Sequence, residues 1–372
     1  MFKKKPTFMQ RLDMPLLIGV LLLCALGLVV IRSATLTTGS ISLIRSQVIA
    51  TIIGFILVII IYLLNFKVWL KLSWIIYVVS NALLVITLIL GIGHDEWGAR
   101  SWLGIGSFVF QPSEFVKIGF IIFVANYIEK NKDTINEPVT LLKLFLFAGL
   151  PIGLIALQPD FGTAMVFISI LAVMLLISGL SWRYIFPVIG VGLISLPILG
   201  PLLWKKLDTY QQNRILDWIN PSRAVSSTGY QFQEGRIAIG SGQLTGRGLF
   251  KGTQTQFNYI PAKHNDYIFT VLVEELGFIG GAFLIGLYAL VFYRMYIIAE
   301  ESRAFSAKLM IVGFASLFII HIWENIGMTM GLMPITGIPL PFMSHGGTFQ
   351  IANLICIGIM LNISKYNVTG RY

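Results

Sequence analysis

Apolar residues in this chain run in long blocks, not in the alternation of a half-buried strand or the stripe of a surface helix. Blocks of roughly 20 residues occupy 14–34, 46–65, 71–93, 112–130, 141–158, 162–180, 183–204, 267–297, 307–332 and 347–365. A helix of about 20 apolar residues matches the hydrocarbon thickness of a bilayer. The pattern therefore predicts an all-α polytopic membrane protein with about ten transmembrane helices, read as one membrane domain over 1–372. The 267–297 block is long enough to tilt or to run beyond the bilayer.

Composition agrees with the pattern. The chain is 56% hydrophobic and 12% charged, with mean hydropathy +0.81. A soluble protein carries about 25% charged residues, so there are too few charges here to coat a water-facing surface. Cys24 and Cys356 lie in apolar blocks and are predicted to pack as small apolar residues, not to form a disulfide framework. Lys3, Lys4 and Lys5 precede an apolar run too long for a signal-peptide core, so no cleaved leader is expected.

The net charge of +10 first suggests nucleic acid, but its placement does not. With the N-terminus in the cytoplasm, the inside segments hold Lys3, Lys4, Lys5, Arg11, Lys67, Lys71, Lys130, Lys132, Lys143, Arg183, Arg294, Arg303, Lys308, Lys365 and Arg371. The short outside loops hold Arg32, Arg45 and Arg100. That asymmetry orients a multi-pass membrane protein with both termini inside, and it removes the nucleic-acid reading.

One outside segment, 205–266, is far longer than the rest and connects spans 7 and 8. Its aromatic and apolar residues predict a folded extracytoplasmic loop. Within it, Gly240–Gly248 supplies either tight turns or exposed backbone N–H groups able to cradle an anion, and the residues alone do not choose between these.

Ionisable residues at the mouths of spans are expensive, so they mark candidate function. Glu114 and Lys117 share one helix face at the start of the fourth span, where they can pair or line a polar cavity. Asp160 sits in an outside turn, where capping a helix explains it as well as function does. Arg100 and Trp102 lie in another outside loop, the tryptophan suited to the membrane interface. Asp266 stands where the long loop enters the eighth span, half in water and half against apolar wall. Partial desolvation there would make it a better base, and capping the following helix explains the position equally well. Lys263 and His264 beside it are placed to meet an anionic leaving group. Glu274 and Glu275, two turns deeper, read as structural or cavity-lining. The last outside loop, 333–348, carries Ser344 and His345 without the context of a hydrolase nucleophile. No HExxH, cysteine cluster or Walker A loop is present, so zinc chemistry and ATP hydrolysis have no support.

Taken together and in order, Gln158-Pro-Asp-Phe-Gly-Thr163, Gly229-Tyr-Gln231, Ala238-Ile-Gly-Ser-Gly242, Lys263-His-Asn-Asp-Tyr-Ile-Phe269, Glu274-Glu-Leu-Gly277 and Gly337-Ile-Pro-Leu-Pro-Phe342 resemble the SEDS family (shape, elongation, division and sporulation). Gln111-Pro-Ser-Glu114 and the ten-span layout agree, and the resemblance covers essentially the whole chain. Gly252-Thr-Gln-Thr-Gln256 resembles the elongation branch. The chain departs from the family pattern at Asn265, His345 and Ser101, where Thr, Tyr and Arg are usual; the last departure puts an Arg100–Ser101 substrate contact in doubt.

The resemblance implies a peptidoglycan glycosyltransferase that polymerises lipid II. It implies that Asp266 is the catalytic residue and that Glu114 and Lys117 line the cavity beside it. Lys263, Lys117 and Arg214 are then candidates to meet the diphosphate, with a divalent cation (Mg2+ or Mn2+) held through Asp266 or the diphosphate as a further expectation. His264, Asp160, Arg100, Trp102 and Ser344 complete the candidate substrate-binding set. The implied partners are undecaprenyl-linked lipid II, the surrounding membrane lipid and a class B penicillin-binding protein transpeptidase. The competing readings are a lipid II flippase or other transporter, and a non-catalytic scaffold of a cell-wall synthesis complex.

Overall fold

The computed structural model describes residues 12–37, 39–93, 99–105, 108–205, 209–220, 227–261 and 263–369. Lys3, Lys4, Lys5, Arg11 and Arg371, used above to orient the chain, lie outside the described residues. A helix stands at each of the ten predicted blocks: α1 (Met14–Thr35), α2 (Ile41–Leu63), α3 (Phe66–Leu90), α4 (Pro112–Lys130), α5 (Pro138–Ala156), α6 (Phe161–Ile177) and α7 (Trp182–Trp204). After three loop helices, α8 (Thr209–Ile219), α9 (Ser227–Gly242) and α10 (Thr253–Gln256), come α11 (Ile268–Glu301), α12 (Phe305–Met330) and α13 (Gly347–Thr369). Seven of these helices (α1, α2, α3, α5, α11, α12 and α13) are long and apolar enough to cross a membrane by length and composition, and α6 is a shorter apolar helix of 17 residues.

The packing is that of a protein whose solvent is lipid. On α2 the isoleucines 49, 52, 56 and 59 face outward. Its buried face instead carries Gln47, Thr51, Gly54 and Val58, turned toward α13. Gln350 of α13 donates to Thr51 Oγ1 at 3.3 Å, and a Cβ on Gly54 would fall 2.3 Å from Leu354. Between lipid-facing helices the hydrophobic effect supplies little, so small residues and interhelical hydrogen bonds hold the pair. Elsewhere α3 packs on α4, α1 on α11, α6 on α12 and α11 on α12.

Two features fill in the all-α layout. Leu103–Ile105 (β1) pairs antiparallel with Phe108–Phe110 (β2) ahead of α4, with Leu103 opposite Phe110. The long segment 205–266 is largely helical, with α9 packed against α11.

A third feature is a break inside α11. Gly277 adopts φ 67°, ψ −165°, a region essentially reserved for glycine. Breaking a buried helix orphans backbone groups, which must find partners. They find them in the segment after α9: Arg247 N donates to Glu274 O and Gly248 N to Glu275 O, each at 3.0 Å. In return Phe278 N and Ile279 N donate to Gln243 O and Leu244 O, at 2.8 and 3.1 Å. The glycine-rich run therefore spends these N–H groups on the helix break, which removes the anion-cradle reading. Its glycines are required by proximity: a Cβ on Gly242 would sit 2.0 Å from Val273 O, and one on Gly246 would sit 2.1 Å from Glu275 O.

A Cβ on Gly277 would meet Gly246 N at 2.3 Å as well as forcing a strained φ. Gly277→Ala is expected to lower the thermal unfolding midpoint in detergent, through a cost of at least about 1–3 kcal/mol from backbone strain. Gly286→Ala, on the same helix with open space around it, is expected to leave the midpoint unchanged or raise it.

Candidate active site

The N-terminal ends of α4, α6 and α11 and the C-terminal end of α12 meet the loop 331–346, and the ionisable residues of these elements gather there. Asp266 precedes α11 by two residues. Its backbone carbonyl accepts from Asn325 Nδ2 at 2.9 Å, and the same amide donates to Ile338 O at 2.8 Å. One buried asparagine of α12 thus clamps the entry of α11 to the last loop. Gly337 of that loop, at φ 73°, lies against both Asp266 and Arg214. A Cβ there would be 3.4 Å from Asp266 Oδ2 and 3.5 Å from both terminal nitrogens of Arg214. Arg214 of α8 is fixed in this position by donating from Nη1 to Thr336 O at 3.2 Å.

Burial pushes the Asp266 carboxyl up to about 6, with the Arg214 guanidinium pulling in the opposite direction. The side chain nevertheless keeps partial solvent exposure. It is a carboxylate with apolar walls, one cation beside it and an open side, which suits proton acceptance near neutral pH.

Next to this pair lies a second buried polar cluster. Lys117, 1% exposed, pairs with Glu114 Oε2 at 2.7 Å and faces His321 Nε2 at 3.1 Å. His321 Nδ1 lies 3.3 Å from Pro339 O, and its ring stacks on Phe349. Glu324, one turn along α12, is buried near Thr336, Lys117 and Asp160. Asp160 caps α6: it accepts from Thr163 N at 3.0 Å and Thr163 Oγ1 at 2.9 Å, and also from Ser101 Oγ and Gln111 Nε2.

Several predicted site residues take supporting positions instead. Lys263 is buried and turned away from the site: its ammonium donates to Thr255 O and Asn258 Oδ1. Desolvation lowers its affinity for a proton, partly offset by Glu274 and Glu275. Ser344 is fully buried, accepts from Leu340 N and donates to Asn265 O at 2.6 Å, so it staples the last loop to the segment before α11. His264 receives His345 N on its carbonyl, and the two imidazoles pack edge to face. Burial holds both rings below the usual histidine range, His345 at about 4. Trp102 bridges to Ile92 through its backbone, and Arg100 is exposed, its N–H donating to Gln158 O. Among the described residues no three His, Cys, Asp or Glu side chains converge as metal ligands.

Sequence reading missed His321, Glu324 and Asn325. All three lie in an apolar span, and the rule that singled out Glu114 and Lys117, that polar groups inside spans are costly, applies equally to them.

Removing one partner of a buried ion pair strands the other, at about 3–5 kcal/mol. Lys117→Met or Glu114→Gln alone is therefore expected to lower the thermal midpoint clearly, while the double replacement recovers much of the loss. Additive losses in that double-mutant cycle would show that the pair is not coupled.

Comparison with known proteins follows this geometry closely. A family model described as Cell cycle protein (FtsW, RodA, SpoVE) matches residues 14–369. The chain is 34% identical over 300 residues to the peptidoglycan glycosyltransferase MrdB of Escherichia coli K12, covering 79% of this chain and 78% of that one. It is 33% identical over 368 residues to the stage V sporulation protein E of Bacillus subtilis, covering 95% and 97%. It is 32% identical over 365 residues to a probable peptidoglycan glycosyltransferase FtsW of Thiomicrospira cyclica, covering 95% and 92%. Among solved structures, one described as structural coordination of polymerization and crosslinking by a peptidoglycan synthase complex superimposes with TM-score 0.81 at 30% identity, covering 96% of this chain and 98% of that one. The rod shape determining protein RodA of Thermus thermophilus gives 0.71 at 27% identity, covering 96% and 97%.

Proposed function

Because this chain belongs to the FtsW, RodA and SpoVE family of cell cycle proteins, we propose that it is a peptidoglycan glycosyltransferase that polymerises lipid II, with Asp266 as the general base. The observation that carries the reading is the meeting of Asp266 and Arg214 around Gly337. The acceptor's GlcNAc 4-hydroxyl oxygen attacks the anomeric carbon of the donor. As the new C–O bond forms, the hydroxyl proton passes to Asp266, the bond to the α-linked diphosphate breaks, and the undecaprenyl diphosphate leaves with the electron pair. The product bond is β-1,4, so the configuration inverts. One base and a stabilised leaving group suffice, unlike the paired carboxylates of hydrolytic glycosidases. Arg214 is the cation best placed for the diphosphate, and Lys117 stands behind it through the Glu114–His321 cluster.

The one-ended gathering of ionisable residues favours chemistry over transport. A flippase needs comparable polar groups on the opposite half, and there the described pairs, Asp13–Arg294 and Glu300–Lys308, tie helix ends. The reading places the site on the extracytoplasmic face of the cytoplasmic membrane, with both termini inside. A class B penicillin-binding protein is the proposed partner, in keeping with the synthase complex of similar fold. Elongation is the proposed setting, resting on the Gly252–Gln256 motif and the RodA-like fold.

A general base contributes about two to four orders of magnitude. Asp266→Asn is expected to cut polymerisation of lipid II at least about 100-fold with little change in folding; normal turnover by a folded Asp266→Asn protein would sink the assignment. Because the folded-state carboxyl is raised to about 6, the base is protonated and idle below that value and ionised above it. The wild-type rate is thus expected to fall as pH drops through about 6, and a rate flat from pH 7 to about 5 would contradict the role.

A further inference from the structure

The carboxylate of Glu324 has fewer donors than its burial demands. It leaves α12 one turn beyond His321, on the same helix face, and is 6% exposed. Thr336, Lys117 and Asp160 are all near enough to act on its charge. Among the described residues, however, no donor reaches its Oε2, an atom that is itself buried. A buried acceptor left unmatched keeps the full cost of losing water, so the position makes physical sense where something else supplies the donor.

Its surroundings indicate what that donor belongs to. The carbonyl of Thr336 holds Arg214, and the next residue, Gly337, lies against Asp266. The two-residue stretch Thr336–Gly337 is thus bordered by a carboxylate that takes a proton, a guanidinium, and a second carboxylate with an unused lone pair. A guanidinium attracts a diphosphate, whereas a carboxylate repels it and attracts hydroxyl or amide hydrogens. A ligand with an anionic diphosphate at one end and an N-acetylated, polyhydroxylated sugar at the other would be sorted end from end by this arrangement. We propose that Glu324 is a substrate-positioning residue whose Oε2 accepts a hydrogen bond from a sugar hydroxyl or amide N–H of the lipid-linked saccharide. The inference rests on the glycosyltransferase reading above.

The test separates the two. Lipid II binding to the full chain in nanodiscs is measured in the Asp266→Asn background, which prevents turnover, with and without Glu324→Gln or Glu324→Met. Steady-state polymerisation and thermal midpoints are measured with Asp266 intact. Gln keeps the contact to Thr336 but turns an N–H toward the donor; Met keeps the length and removes the acceptor. Both are expected to weaken lipid II binding at least about tenfold and to raise KM in step, with kcat changed less than about threefold and the midpoint not lowered. Binding unchanged within about twofold would overturn the proposal alone, as would a midpoint that falls together with kcat, since that is the mark of a merely structural residue. Failure of the Asp266→Asn protein to bind lipid II at all would overturn both readings.

Discussion

Two adjacent carboxylates, Glu274 and Glu275, are buried in the interior of an apolar helix bundle, and most of the site's architecture follows from satisfying them. Glu274 does so by capping α10, accepting from Gln254 N, Thr255 N and Thr255 Oγ1 at 2.7, 3.0 and 2.6 Å. Glu275 accepts through Oε1 from Ser33 Oγ of α1 and from Gln256 Nε2, while no donor reaches its Oε2 among the described residues. Lys263 supplies the neighbouring positive charge and is itself tied to Thr255 and Asn258. A buried carboxylate needs this density of donors and countercharge to stay in place. Once they are provided, the chain from α10 to Lys263 is pinned to α11, and Asp266, three residues on, has little freedom left.

The same residues sit one turn before the break at Gly277, so the constraint propagates further. The carbonyls released by the break are those of Glu274 and Glu275, and the glycine-rich segment closes on them. α9 is thereby fixed against α11. On the opposite side, Asn325 ties Asp266 to the last loop, and Ser344 ties that loop back to Asn265. Gly337, held at a positive φ, lies against both Arg214 and Asp266 at ordinary contact distance.

The length of the apolar blocks made the helices legible, because bilayer thickness imposes a length that composition alone reveals. Their ends differ from expectation by a few residues, most at the starts of α2 and α3, which begin earlier, at Ile41 and Phe66. Asp266 was legible because a carboxylate at a span entry is costly. Side-chain direction was not: Lys263 and Ser344 lie beside Asp266 in sequence or motif, yet both turn inward to satisfy backbone carbonyls, a demand visible only once the loop is folded. The break at Gly277 lies inside an uninterrupted apolar run, and the β-hairpin depends on two three-residue strands, too short for any periodicity to announce.

The central claim is that this site joins sugars with inversion, so the most direct measurement is the product itself. Purified chain with the proposed transpeptidase partner is incubated with lipid II, and the linkage of any polymer is determined by digestion with a β-1,4-muramidase and by the anomeric signal of the new bond. The proposed function predicts long strands, wholly cleaved by the muramidase and β-configured at every new linkage. Strands with α linkages, or no polymer where a control polymerase makes it, would contradict the account.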